Sequence, residues 1–90
     1  MALELEGKVA VITGAGQGIG AAIADRLTQE GAHLALCDIN FASVKKREKQ
    51  ASQIREKEAI AIQVDVADIS QVEGMRDKVL ARFRRVDIFN

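Results

Sequence analysis

Between residues 13 and 20 the chain reads Thr13-Gly14-Ala15-Gly16-Gln17-Gly18-Ile19-Gly20, with four glycines in eight positions. A bend so poor in side chains lets backbone amides come close to a charged ligand. A helix that follows it begins with N–H groups that lack intrahelical partners, and the helix dipole adds partial positive charge at that end. The chemistry that suits such a bend is the binding of a pyrophosphate. Spacing narrows the reading. A G-x-G-x-x-G pattern fails from Gly14, because its last place falls on Ile19, and from Gly16 it closes only on Ala21. T-G-x-x-x-G-x-G is met in full. On this reading Gly14 makes the turn, Gly18 permits close approach and Gly20 packs helix against strand. Thr13, Gln17 and Ile19 complete the candidate cofactor-binding turn.

The second chemical group is Asp38, 18 residues beyond Gly20. A carboxylate at that distance, ending a second strand, accepts hydrogen bonds from adenosine ribose hydroxyls and repels a 2′-phosphate. Accommodating that phosphate calls for a nearby cation. Gln17 and Ile39, the side chains best placed to supply one, are neutral. The expected cofactor is therefore NAD rather than NADP.

Such groups need a scaffold, and the hydrophobic pattern supplies one. Residues 8–13 (KVAVIT) form a short apolar run ending in the glycines, as a buried parallel strand should. Ile19, Ile23 and Leu27 then recur at helical spacing with Ala22 alongside, and Gly31 marks the stop. His33–Asp38 reads as a second strand. Asn40 is the expected cap of a second helix running to about residue 58, with a thin apolar face from Val44, Ala51 and Ile54. Residues 59–65 (AIAIQVD) read as a third strand. Asp68 opens a third helix with Gln71 in the position of a capping box. Its expected buried stripe is Val72, Met75, Val79, Leu80 and Phe83, in spite of Gly74, which is about 1 kcal/mol less favourable than alanine. Residues 86–89 begin a fourth strand. This alternation, with short connections, implies parallel strands and right-handed crossovers. The expected architecture is α/β: a Rossmann-type doubly wound parallel sheet of about four strands in the order 3-2-1-4, with three helices. Residues 1–90 are read as one NAD-binding half-domain.

Composition excludes several classes. Thirteen Lys plus Arg balance thirteen Asp plus Glu, so no net field gathers nucleic acid or an anionic membrane. No apolar run approaches the ~20 residues that span a bilayer. A single cysteine excludes an internal disulfide and, with no leader-like segment, points to a reducing cytoplasm. Cys37 is expected in the core. His33, the only histidine, has no partner ligands around it, and no spacing suggests zinc or calcium. The run Lys45, Lys46, Arg47 and Lys49, interleaved with or followed by Glu48, Glu56 and Glu58, reads as a solvated helix face.

With these motifs in place the chain resembles the N-terminal, cofactor-binding part of the short-chain dehydrogenase/reductase family. The glycine motif matches in full. The run Gln63-Val64-Asp65-Val66-Ala67-Asp68 is similar to the family's third-strand segment, which implies contact of Asp65 with the adenine amino group and support from the Val66 backbone. Val86-Asp87-Ile88-Phe89-Asn90 resembles the start of the family's D-x-L-V-N-N-A-G segment, with its asparagine one place early. No role is carried over to Asn90. The resemblance implies an oxidoreductase that moves hydride between a nicotinamide cofactor and an alcohol or carbonyl substrate, usually as a homo-oligomer. It also implies a catalytic tyrosine, a lysine four residues later and a serine. The chain has no tyrosine, and Ser43, Ser52 and Ser70 are expected on helices or caps away from the cofactor-facing end. These residues are therefore expected to hold a cofactor without turning it over, and to leave Val86, Ile88 and Phe89 at an open sheet edge. A non-catalytic nucleotide-binding or subunit-interaction module is the competing expectation. A sugar-nucleotide epimerase fits less well, since G-x-x-G-x-x-G is not met.

Overall fold

The two strands that read as the most continuous apolar runs are the two in the middle of the sheet. The protein, seen as a computed structural model that describes residues 5–53 and 58–90, forms β1 (Val9–Thr13), α1 (Gly18–Gln29), β2 (His33–Asp38), α2 (Phe41–Ser52), β3 (Ala59–Gln63), α3 (Ile69–Phe83) and β4 (Ile88–Phe89). All four strands are parallel, in the order β3-β2-β1-β4. Both fold expectations, the doubly wound α/β class and the strand order, are met.

Alternation along each strand divides the core into two layers. Ala10, Ile12, Leu34 and Leu36 point to one side, where Ala24, Val44 and Ala51 of α1 and α2 meet them. Val9, Val11, Ala35 and Cys37 point to the other, against Met75 and Val79 of α3. Apolar residues on both faces are what a central parallel strand needs, because helices cover it from both sides. Each fully buried side chain of the size of Ile12 or Leu36 contributes roughly 1.5–3 kcal/mol.

Helix ends follow local chemistry. Asn40 caps α2 by accepting the Ser43 N–H at 3.3 Å, as expected. Asp68 caps α3 through the N–H groups of Ser70 and Gln71. At the end of α1, Gly31 N–H donates to Thr28 O and Ala32 N–H to Leu27 O, both at 3.0 Å, around a glycine at φ +99°. This paired arrangement is why Gly31 stops the helix.

Several expectations need correction. Ile19 is 80% exposed, because the first turn of α1 overhangs the strand ends with no sheet beneath it; the buried residues of α1 are Ala21, Ala24 and Thr28. Leu80 is 42% exposed, one step round α3 from buried Val79 and beyond the edge of the sheet face. α2 ends at Ser52, and Glu58 already leads into β3, its N–H donating to His33 Nδ1 at 3.1 Å; Ile54 and Glu56 lie outside the described residues. Glu48 does not belong to a wholly solvated face. Its Oε2 accepts the Ala61 N–H of β3 at 2.8 Å while Oε1 takes Lys45 Nζ at 2.9 Å. The side chain thus covers a backbone donor on the outer edge of the sheet, which blunts an otherwise bare strand. On the opposite edge Val86 and Phe89 are exposed as expected, whereas Ile88 is half-buried against the α1 layer.

Candidate functional site

β1 and β2 deliver their carboxyl ends to one rim, and the loops that leave them build the site. The N-cap of α1, Gln17, makes no side-chain hydrogen bond, so the amides of the first turn are left for something outside the helix. Gly14 and Gly18 have φ of +64° and +62°, which carries the chain round the bend into that turn. Gly20 and Gly16 are needed for space. A Cβ on Gly20 would collide with the Gly14 carbonyl oxygen, so Gly20 packs the helix start onto the turn itself. A Cβ on Gly16 would collide with Ser43 Oγ and lie 2.8 Å from Asp38 Oδ2.

That last contact explains how the carboxylate is held. Asp38 Oδ2 accepts the Gly16 N–H at 3.0 Å and Oδ1 accepts the Asn40 N–H at 3.1 Å. The acid at the end of β2 is thereby fastened to the glycine turn. Ala15 N–H donates to Cys37 O at 3.0 Å and ties the same turn to β2 a second time.

Beside this junction lies a cavity of about 350 Å³ lined by Thr13, Gly14, Cys37, Asp38, Ile39, Val64, Asp65 and Val66. Of the nine residues singled out from the sequence, Thr13, Gly14, Asp38, Asp65 and Val66 line it. Gln17, Gly18, Ile19 and Gly20 stand next to it at the start of α1. Two apolar side chains, Ile39 at 63% and Val66 at 60% exposure, flank the opening from the β2 and β3 sides. Exposed aliphatic groups of this kind offer a flat ring the contact surface that water denies them. The Thr13 hydroxyl is directed away from this role, donating to Asn90 O at 3.0 Å. Asn90 prolongs the pairing of β4 with β1, its N–H donating to Val11 O at 2.9 Å and its carbonyl accepting the Thr13 N–H at 2.7 Å. Cys37 in the floor is fully buried, and burial pushes its thiol up to about 12, so it offers no thiolate for chemistry.

A match to the family of short chain dehydrogenases covers residues 8–90. The chain belongs to the short-chain dehydrogenase family. It is 42% identical over 87 residues to a probable tetrahydroxynaphthalene reductase of Zymoseptoria tritici, covering 93% of this chain and 32% of the relative. Among solved structures, it resembles a short-chain dehydrogenase/reductase of Burkholderia phymatum in complex with NAD, with a TM-score of 0.90 and 34% identity over 96% of this chain and 30% of that one. It also resembles the L-sorbose reductase of Gluconobacter frateurii complexed with NADPH and L-sorbose, with a TM-score of 0.91 and 32% identity over 99% and 34% of the two chains. The chain thus spans about a third of the length of the curated relatives it matches.

Two residues that touch the candidate site from behind were not legible as its neighbours. Ser43 was expected away from the cofactor-facing end, but α2 starts there, directly after β2, and its third residue abuts Gly16. Asn40 at the cap was the available signal, since a helix opening right after Asp38 must bring its first turn to the same rim. Gln71 was expected to reach back to its own helix cap, Asp68. Its Nε2 does so, donating to Asp68 Oδ2 at 3.2 Å, but its Oε1 accepts the Asp65 N–H at 2.8 Å rather than the Asp68 N–H that a capping box would offer. Among the described residues no cluster of three or more His, Cys, Asp or Glu could hold a metal, and no helix is long and apolar enough to cross a membrane.

Proposed function

We propose that this chain forms the NAD-binding part of an oxidoreductase that transfers hydride between the nicotinamide cofactor and an alcohol or carbonyl substrate. The observation that carries the reading is the Asp38 carboxylate, hydrogen-bonded to the Gly16 N–H at the lip of the cavity between the ends of β1, β2 and β3. The cradle fits the group. Its turn has no side chain at four positions, the helix behind it begins without a capping side chain, and an acid stands where ribose hydroxyls would approach. In this reading the amides of residues 14–20 hold the pyrophosphate, with Thr13, Gln17 and Ile19 shaping the turn. Asp38 accepts from the ribose hydroxyls. Asp65 and the Val66 backbone hold the adenine, with Ile39 and Val66 against its faces. Nicotinamide, once bound, supplies or removes the hydride. The acid–base tyrosine that the family resemblance implies is not among these 90 residues, and the reading assigns that step to residues outside them. A cytoplasmic setting and assembly into a homo-oligomer belong to the same proposal.

NAD is favoured over NADP on electrostatic grounds. A negative charge about 4 Å from a carboxylate near a protein surface meets roughly 4 kcal/mol of repulsion, and each 1.4 kcal/mol is tenfold in affinity. Neither Gln17 nor Ile39 offers a compensating cation. Calorimetric titration with NADH and NADPH is the test. The expected result is binding of NADH with NADPH at least about a hundredfold weaker, and a shift toward NADPH in a chain carrying Asp38→Ala with Ile39→Arg. Tighter binding of NADPH by the parent chain refutes the role of Asp38, and binding of neither refutes the cofactor reading.

A further inference from the structure

The loop from β3 to α3 carries Asp65 and Val66, two residues that line the cavity, and three hydrogen bonds shape it. Two are internal: Asp68 N–H to Asp65 O and Ala67 N–H to Asp65 Oδ1, both at 3.0 Å. The third joins the loop to the body of α3. Gln71 Oε1 accepts the Asp65 N–H at 2.8 Å, and its Nε2 donates to Asp68 Oδ2 at 3.2 Å. One side chain therefore grips the loop at its first residue and at the helix cap. The register explains why the grip falls on Asp65. Val64 N–H still points inward and donates to Asp38 O at 3.1 Å, so the next amide, that of Asp65, points away from β2 and has no strand to pair with.

From this we infer that Gln71 is a positioning residue for the adenine side of the cofactor cavity. The inference rests on the nucleotide reading of that cavity. Gln71 is exposed, so water can take over the Asp65 N–H when the side chain is removed, and the fold loses little. What goes is the direction of the loop. Asp65 and Val66 then sample orientations other than the one that meets a bound base, and affinity falls while stability holds.

The experiment titrates ADP-ribose, which carries adenine and pyrophosphate without nicotinamide, into the chain and three variants. Gln71→Leu keeps the bulk and removes the acceptor; one hydrogen bond of this kind corresponds to roughly fivefold weaker binding. Gln71→Glu keeps an acceptor for Asp65 but exchanges the Nε2 bond to Asp68 Oδ2 for a like-charge contact, and is expected to weaken binding less than Gln71→Leu does. Ser70→Ala removes a different bond at the same helix start, Ser70 Oγ to Asp68 Oδ1 at 3.0 Å, and is expected to leave affinity unchanged. Amide exchange at Asp65 is expected to accelerate in Gln71→Leu only. Parent-like affinity in Gln71→Leu overturns the inference, as does equal weakening in Gln71→Leu and Ser70→Ala, or in Gln71→Leu and Gln71→Glu. So does an unfolded Gln71→Leu chain, because the side chain would then hold the fold rather than the loop. A parent that binds neither ADP-ribose nor NADH is a separate result, and it removes the nucleotide reading itself.

Discussion

Gly20→Ala and Gly74→Ala are the same substitution in two helices, and the structure assigns them opposite signs. Glycine in a helix interior is about 1 kcal/mol less favourable than alanine, so propensity alone predicts a gain at both sites. At Gly74, in the middle of α3, an added Cβ meets no atom within 4 Å, and the gain should be realised. At Gly20 the Cβ would run into the Gly14 carbonyl oxygen, with Gly14 C at 2.8 Å and Ala15 Cα at 3.3 Å. All three are backbone atoms, and that backbone is not free to retreat. Ala15 is fully buried, and its N–H is bonded to Cys37 O. Overpacking costs roughly 1–3 kcal/mol, and contact with tethered backbone belongs at the top of that range. Subtracting the propensity gain leaves a loss of about 2 kcal/mol, or some 8–16 °C in Tm for a domain of this size, against a gain of about 4–8 °C for Gly74→Ala. Thermal unfolding followed by far-ultraviolet circular dichroism measures both. NADH titration of the Gly20→Ala chain should also show weaker binding, because a turn that shifts to make room carries its amides with it. A Tm for Gly20→Ala at or above the parent's would mean that the turn is slack, and the account of how the site is held rigid would fail.

The sheet edge and its acids give two further tests. Glu48→Ala removes the acceptor on the Ala61 N–H, a bond to a charged group worth about 1.5–3 kcal/mol, whereas Lys45→Ala breaks only an exposed ion pair worth about 1 kcal/mol or less. Urea unfolding should separate the two, and equal losses would show that Glu48 acts through Lys45 rather than through the strand. At the other edge, the Arg85 guanidinium and then the Val9 N–H hold the Asp87 carboxyl below its usual range. A depressed carboxyl stabilises the fold above the ordinary value of about 3.9 and loses that contribution as pH falls through the folded value. Asp87→Asn should therefore lower Tm at pH 7, with the gap to the parent closing on acidification. A gap that stays constant down to about pH 2, below the ordinary carboxylate value, would mean that the charge is not what matters.

How much of the fold is readable from the sequence depends on whether a residue's partner is local. Residues 8–13 and 33–38 announce central strands because they are apolar at successive positions, and the motif from Thr13 to Gly20 carries its own spacing. Asn40 and Asp68 announce helix starts because a cap acts within three residues. The misreadings of Ile19, Leu80 and Glu48 are cases in which a helix meets, or fails to meet, something distant. Periodicity places Ile19 and Leu80 on apolar stripes but does not say that the sheet ends before the first and beneath the second. Glu48 belongs to a charged run by sequence, and only the packing of α2 along β3 turns it onto Ala61.

The site divides along the same line, and the division has a physical cause. Asp38 is found from the glycines because the length of one helix and one strand fixes where the acid arrives, and the 3.0 Å bond from Gly16 to its carboxylate is that arithmetic made visible. Ser43 and Gln71 obey a second rule that a single motif does not display. In a parallel sheet every helix on either face starts at the rim where the strands end, so the first turn of each is available to the site. α1 brings Gly18 to Gly20, α2 brings Ser43, and α3 brings Gln71 to the cavity wall through Asp65. Polar residues at the third position of such helices are therefore candidates for the site on the strength of their position alone, whatever capping role their spacing also suggests.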